Sequence, residues 1–303
     1  MKILILGGTG LVGSHLVSEA VRSGHAVAAT FHDASPPPSP EGRDWFPLDI
    51  DSGAEDGLDS LLQKTQPEAV INATGWTWVD GCEKDPARAD RLNHLFPKRL
   101  AQCLEPTRTR LVHFSSSYVF DGLAGPYSED TPPGPINVYG HSKRAGETAL
   151  LDGLPDRSLI LRTIVVYGAE LRKKNFVYQV LDKLRRGRPL EIPADQEGNP
   201  TEASDLARAT LALLSANCAG IWNVAGPEAS MNRLEFATLI AQTAGLPDSL
   251  LIPRTTAALA QPARRPLRGG LLTDKLCRQV GPLMRPAREA LSKLIPRLEP
   301  PAV

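Results

Sequence analysis

Apolar residues recur along the chain with two alternating periods. Lys2-Ile-Leu-Ile-Leu6 is a short apolar run, the length of a parallel strand buried on both faces. Residues 14–23 then take helical spacing, and Gly24 is placed to end that helix as a C-cap. Runs at 26–31, 45–48, 69–73, 110–115 and 159–165 predict further strands. Among them, 85–104 and 138–152 predict helices, the first with Asp85 as N-cap and Pro86 in its first turn. Residues 34–42 form a Pro-rich surface loop. Strands alternating with helices predict an α/β fold, a Rossmann-type, doubly wound parallel sheet. Beyond about residue 166 the pattern loosens. Residues 176–186, 204–217 and 232–244 predict helices and 220–224 a short strand, while the tail from about 251 to 303 is rich in Pro and Arg and shows no clear repeat.

Composition narrows the class. The 303 residues are 42% hydrophobic and 22% charged, with 34 Lys plus Arg against 34 Asp plus Glu. A disordered chain would carry a high net charge and few apolar residues. Neutrality also argues against nucleic-acid binding by bulk positive charge. The balance is uneven, with 13 basic and 19 acidic residues in 1–150 and 21 and 15 in 151–303. Arg172, Lys173, Lys174, Lys183, Arg185, Arg186 and Arg188 crowd one stretch. They form either a solvated helix face or a local site for an anionic substrate such as a diphosphate. Cys82, Cys103, Cys218 and Cys277 are too widely spaced for a CxxC pair and read as reduced thiols. No run of 18 apolar residues spans a membrane, and residues 1–13 lack the pattern of a signal peptide. The expectation is a cytoplasmic protein.

Gly7, Gly10 and Gly13 give G-x-x-G-x-x-G directly after the first strand and at the opening of the first helix. Such a loop lets backbone approach a pyrophosphate, and the helix N-terminus adds N–H donors and a favourable dipole. The expected division is therefore a nucleotide-binding domain over 1–165, to which elements of 203–224 return, and a smaller, interleaved substrate-binding part over 166–303. The second strand ends in Thr30-Phe31-His32-Asp33. Thr30 and His32 cannot act as the ribose-binding acid of an NAD site, and no Arg stands there for a 2′-phosphate. The cofactor is NADP(H) or NAD(H), with NADP(H) slightly favoured.

Tyr139-Gly-His-Ser-Lys143 is Y-x-x-x-K, a spacing that puts both side chains on one helix face. Hydride reduction of a carbonyl builds negative charge on oxygen, so a proton donor and fixed hydrogen bonds must stand there. Tyr139 would deliver the proton. Lys143 would draw the phenol pKa down and hold the cofactor ribose. Ser115-Ser116-Ser117 closes an upstream strand, where Ser116 can hydrogen-bond the substrate carbonyl. The candidate catalytic set is Ser116, Tyr139 and Lys143.

Spaced glycines, a serine cluster and Y-x-x-x-K resemble the extended short-chain dehydrogenase/reductases. His113-Phe-Ser-Ser-Ser-Tyr118-Val-Phe-Asp121-Gly122, Pro126-Tyr-Ser-Glu129 and Tyr139 to Glu147 narrow the likeness. They resemble the dTDP-4-dehydrorhamnose reductase family, with its S-T-D-Y-V-F-D-G, P-Y-x-E and Y-G-x-x-K-x-x-G-E. Asn72 to Glu83, Asn175-Phe-Val177 and Asp195 to Ala207 extend the similarity over most of the chain. The resemblance implies reduction of the 4-keto group of a nucleotide-linked 6-deoxyhexose, a step of dTDP-rhamnose biosynthesis. It implies cofactor contacts at Gly7, Gly10, Leu11, Val12, Gly13, Thr30, Ala73, Thr74, Tyr139 and Lys143, with Asp49 and Ile50 beside the adenine. It implies substrate contacts at Val79, Asp80, Ser117, Tyr118, Asn175, Phe176 and Gln196. The expected partner is a nucleotide-sugar, with no nucleic acid, membrane or metal, and a homodimer is left open.

The chain departs from the family pattern at several points. Ser117 replaces an Asp, Ser116 a Thr, and Gly75, Trp76 and His94 replace small or Tyr residues. Arg162 sits inside a strand pattern, where an acidic neighbour would pair with it. Two other readings stand beside the reductase. One is a non-catalytic nucleotide-binding subunit resembling the regulatory β subunit of methionine adenosyltransferase, against which the intact triad counts. The other is a nucleotide-sugar epimerase or dehydratase, and Ser116-Ser117 supplies no carboxylate for dehydration.

Overall fold

A computed structural model describes residues 1–32, 44–52 and 56–298. Asp33 and the expected loop at 34–42 lie outside these residues. Seven strands form one sheet: β1 (Lys2–Leu6), β2 (Ala26–Phe31), β3 (Asp44–Pro47), β4 (Ala69–Asn72), β5 (Arg110–Ser116), β6 (Ser158–Thr163) and β7 (Gly220–Asn223). Their spatial order is β7-β6-β5-β4-β1-β2-β3, and every pairing is parallel. The order reverses between β1 and β4. A doubly wound sheet opens a crevice at such a switch point, beyond the carboxyl ends of the strands.

The first strand shows why the sheet is buried on both sides. Ile3 and Ile5 enter one core with the helix Leu11–Arg22 and the helix Ala203–Ser215. Leu4 and Leu6 enter the opposite core with the helices Asp56–Thr65, Phe96–Leu104 and Val138–Gly153. Alternation at period two explains the split. Gly24, at φ +76, ends the first helix with a Schellman pair: Gly24 N–H to Val21 O at 2.9 Å and His25 N–H to Ala20 O at 3.0 Å.

A third core lies in the C-terminal half. The helices Phe176–Arg185, Arg233–Thr243 and Ala287–Leu298 pack there with the parallel pair Leu190–Pro193 and Leu251–Arg254. The chain returns to the sheet through the helix Ala203–Ser215 and β7, and again through Leu276 of the helix Asp274–Val280. Arg285 ties the last segment to that returning helix by ion pairs to Asp205 and Glu202.

Three sequence expectations need correction. The strand expected over 159–165 stops at Thr163, because Val165 takes φ +50, which no strand accommodates. The single helix expected over 85–104 is Pro86–Asp90, a π-helical turn Arg91–Leu95 and Phe96–Leu104. Its start is as expected, with Asp85 accepting the Arg88 N–H at 3.0 Å. Helices also form at Asp56–Thr65, Asp274–Val280 and Ala287–Leu298, where the sequence pattern gave none.

Candidate active site

The glycine loop leaves β1 at the switch point. Gly7 takes φ +79, and its N–H donates to Thr30 Oγ1 at 2.9 Å, while Gly8 N–H donates to Thr30 O at 2.8 Å. Thr30 is buried, so its hydroxyl shapes the loop. A Cβ at Gly13 would overlap the Gly7 carbonyl oxygen, so helix and loop touch through backbone alone. Gly10 caps the helix with no side-chain acceptor, and Leu11 and Val12 form its first turn. The helix N-terminus therefore keeps donors for an anion.

At the far end of the crevice, Asp49 Oδ1 accepts the Asp51 N–H at 2.8 Å and lies 3.3 Å from His32 Nδ1. The Asp51 hydrogen bond, aided by Ser52 and His32, holds the Asp49 carboxyl below its ordinary range. Ile50 packs against the neighbouring core. Ala73 and Thr74 continue β4, with the Thr74 hydroxyl donating to Asn72 Oδ1 at 2.5 Å. A pyrophosphate-linked dinucleotide fits the bare glycine loop at the switch point of the sheet.

Three segments converge beside the crevice. Ser116 ends β5, is buried, and its Oγ accepts the Tyr118 N–H at 3.2 Å. The helix Val138–Gly153 is capped by Asn137, whose Oδ1 accepts the Gly140 N–H at 2.7 Å, and this sets Tyr139 in the first turn. Tyr139 is 7% exposed and packs edge-on against Tyr118, with ring centroids 5.5 Å apart. Lys143, one turn on, is buried and donates to the Phe114 carbonyl at 2.6 Å. A Cβ on Gly75, just past β4, would come within 3.6 Å of Lys143 Nζ. The Tyr139 phenol is hydrogen-bonded with Ser116, and Lys143 stands one turn along the same helix.

One expected coupling is corrected. Burial pushes the Tyr139 phenol up from its ordinary value, and the hydrogen bond with Ser116 is what pulls it down. Lys143 is not among the groups that shift the phenol, and its ammonium donates to Phe114 O. Burial lowers Lys143 itself to about 8, opposed first by the field of Glu147. Glu147 is a buried carboxylate held by Arg162 at 2.8 and 2.7 Å and by the Ser115 hydroxyl at 2.6 Å. Arg162 thus has the acidic partner that its strand position called for.

Asn93, which the sequence did not single out, fastens the site from the π turn. Its Oδ1 accepts the Trp76 N–H at 2.9 Å, and its Nδ2 donates to Trp76 O and Ser142 Oγ at 3.0 and 3.1 Å. A lone Asn inside a helical pattern carries no signal of this. The extra residue of a π turn swings such a side chain inward.

The remaining candidates divide. Val79 and Asp80 begin a short helix, and Asp80 pairs with Arg265 at 2.9 Å. Ser117 is fully buried and its hydroxyl has no partner. Phe176 lies under the Arg233 guanidinium at 5.1 Å. The Asn175 side chain is spent as a helix cap, accepting Val177 N–H and donating to Gly168 O. Gln196 donates to Thr256 Oγ1 at 3.0 Å. Trp76 packs near Tyr139, whereas Trp78 is exposed. Arg185, Arg186 and Arg188 are exposed beyond the buried face of the helix Phe176–Arg185, a solvated face. Two cavities of about 540 and 530 Å³ lie away from the triad. One is on the outer side of the helices Phe96–Leu104 and Val138–Gly153, and the other is between 121–136 and 256–267.

The family model of the RmlD substrate binding domain matches residues 1–299. The chain belongs to this family. A dTDP-4-dehydrorhamnose reductase of Streptomyces griseus is 36% identical over 313 aligned positions, covering 97% of this chain and 93% of the relative. A probable low-salt glycan biosynthesis reductase, Agl14, of Haloferax volcanii is 34% identical, covering 89% of each chain. The structure of dTDP-4-dehydrorhamnose reductase from Bacillus anthracis in complex with NADP superposes with a TM-score of 0.83 at 26% identity. It covers 98% of this chain and 100% of that one. Membership of the RmlD family accounts for the shared sheet order and the long reach of the similarity. No described helix is long and apolar enough to cross a membrane.

Proposed function

We propose that the chain is an NAD(P)H-dependent reductase of the 4-keto group of a nucleotide-linked 6-deoxyhexose, as in dTDP-rhamnose biosynthesis. The observation that carries the reading is the convergence of Ser116, Tyr139 and Lys143 beside a bare glycine loop. The reduced nicotinamide, when bound, supplies hydride to the ketone. Gly7, Gly10 and Gly13 with Leu11 and Val12 hold the pyrophosphate, Asp49 and Ile50 the adenine end, and Ala73 and Thr74 the crevice wall. Ser116 hydrogen-bonds the ketone oxygen. Tyr139 gives its proton to the alkoxide that forms. Its raised pKa suits that role, since a donor must hold its proton until the oxygen becomes basic. Lys143 places a positive charge beside the cofactor ribose and the developing anion. Val79, Asp80, Ser117, Tyr118 and Phe176 surround the sugar, and Asn175 and Gln196 shape the wall through their own hydrogen bonds.

The reading divides the chain into 1–165, with elements of 203–224, for the cofactor and 166–303 mainly for the substrate. Four free cysteines support a cytoplasmic setting.

The test is oxidation of NADPH or NADH with dTDP-4-keto-6-deoxyhexoses. Tyr139→Phe is expected to lose about 10²–10⁴-fold in turnover while still binding NADP⁺. Full turnover in that variant overturns the proposal.

A further inference from the structure

Trp76 is held from two directions. Its main chain is clasped by Asn93, whose Oδ1 accepts the Trp76 N–H at 2.9 Å and whose Nδ2 donates to Trp76 O at 3.0 Å. The same Nδ2 donates to Ser142 Oγ at 3.1 Å, and that hydroxyl donates to Tyr139 O at 2.8 Å. The indole packs against the group of Cys82, Ala89 and Tyr139. A Cβ on Gly81 would come within 2.8 Å of it, so one side of the ring rests on bare backbone. The other support is Arg88, whose guanidinium lies over the indole at 4.5 Å from the ring centroid.

Arg88 is itself tied to the adenine end of the crevice. Its Nε donates to Asp51 Oδ1 at 3.1 Å and its Nη2 to Asp51 Oδ2, a bidentate fork of fixed geometry. Asp51 is set in turn by Asp49, whose Oδ1 accepts the Asp51 and Ser52 N–H groups at 2.8 and 3.3 Å. Asp49 and Ile50 of this turn hold the adenine in the reading above. One chain of contacts therefore runs from Asp49 through Asp51, Arg88 and Trp76 to Tyr139. Arg88 is 38% exposed and Asp51 31%, and an ion pair that open to solvent adds little to stability. Its main effect is to place the guanidinium on the indole.

We propose that Arg88 is a positioning residue that makes turnover depend on the adenosine half of the cofactor, an inference that rests on the NAD(P)H-dependent reductase reading above. Adenine beside Asp49 and Ile50 fixes the turn, the turn fixes the Asp51 carboxylate, and Asp51 fixes the guanidinium over Trp76. Trp76 then backs Tyr139 in the orientation that meets the ketone oxygen. Binding energy from a remote, non-reacting part of a ligand can act at the reacting group, and it is then felt in kcat rather than in KM. A small misplacement of the proton donor is enough to slow the reaction by orders of magnitude.

The experiment compares NADPH with reduced nicotinamide mononucleotide, which carries the hydride but no adenosine, in reduction of a dTDP-4-keto-6-deoxyhexose. In Arg88→Met, Asp51 retains Arg91, whose Nη2 lies at 3.2 Å, so no bare carboxylate is left. This variant is expected to lose roughly 10- to 100-fold in kcat with NADPH, with KM little changed and turnover of the mononucleotide unaltered. Asp51→Asn should act in the same direction. Arg88→Lys, which keeps a cation over the indole, should recover part of the loss. Equal losses with both cofactors, the mark of a merely structural role, overturn the inference, as does an unaltered kcat with NADPH. Hydrogen exchange gives a second readout that needs no turnover, with ADP as the probe because it has adenine and diphosphate but no nicotinamide. ADP is expected to slow exchange over 7–13 and over 76–93 in wild-type protein, and over 7–13 alone in Arg88→Met. Slowing over 76–93 that survives in Arg88→Met overturns the inference. Arg88-dependent exchange in a protein that reduces no keto sugar would sink the reductase reading alone. Turnover with NADPH that is indifferent to Arg88 would sink the coupling alone.

Discussion

Tyr139 and Lys143 occupy one buried face, yet burial moves their protons in opposite directions. The phenol is held protonated, and the ammonium is brought to about 8 from 10.5. An unfolded chain binds the Lys143 proton more tightly, so stability rises with pH through the window from about 8 to 10.5. Below 8 the cost of the buried ammonium is felt in full. Lys143→Met removes that cost. The expected result is that the stability difference between variant and wild type shrinks by roughly 3 kcal/mol between pH 7.5 and 10.5, read from urea unfolding at each pH. A pH-independent difference would contradict the assignment. His113 works in the same sense at lower pH. Burial, then the charge of Lys143, lowers its pKa well below 6.5, so it is folded as the neutral ring, and its contribution is lost as pH falls below the unfolded value.

Elements set these side chains in register. Gly13 lets the first helix rest on the glycine loop. In Gly13→Ala the new Cβ meets backbone rather than a side chain that could move aside. A loss of about 1–3 kcal/mol in unfolding free energy and weakened NADP⁺ binding are expected, the first by denaturant titration and the second by fluorescence. Glu147 fixes the helix Val138–Gly153 to β5 through Ser115 and to β6 through Arg162. Glu147→Gln leaves a guanidinium buried and unpaired and should cost about 3–5 kcal/mol. Adding Arg162→Met should restore most of it in a double-mutant cycle, and strict additivity would disprove the pairing. Much of this level was legible in the sequence. β1, the glycine loop, the Asp85 cap and Y-x-x-x-K announce themselves through period, capping and spacing. The helix Asp56–Thr65 was not legible, because its apolar contacts reduce to Leu58, Leu61 and Leu62 in a polar run. Ala287–Leu298 was hidden by Pro296 and flanking Pro and Arg, although Leu291, Leu294 and Ile295 keep helical spacing.

At the scale of the whole molecule, the three largest cores among the described residues are stitched by a chain that passes repeatedly between them. The C-terminal core rests on its last helix, where Leu291 is fully buried. Leu291→Ala is expected to cost about 2–5 kcal/mol by denaturant unfolding. Because Arg285 binds that segment to the returning helix, the loss should appear in one transition followed both by tryptophan fluorescence, whose sources Trp45, Trp76, Trp78 and Trp222 all lie outside that core, and by far-ultraviolet dichroism. Two separated transitions would show that the cores act independently. The position of β7 carries this further. It is the last strand of the sheet to be synthesised, and it completes the edge beside β6 only after some sixty residues of the other half have been made. On the ribosome, the seven-stranded sheet must wait with an open flank while the sequence between β6 and β7 emerges. A nascent chain stalled short of residue 220 should therefore be more open to proteases and chaperones than one stalled just beyond 224 plus the length hidden in the exit tunnel.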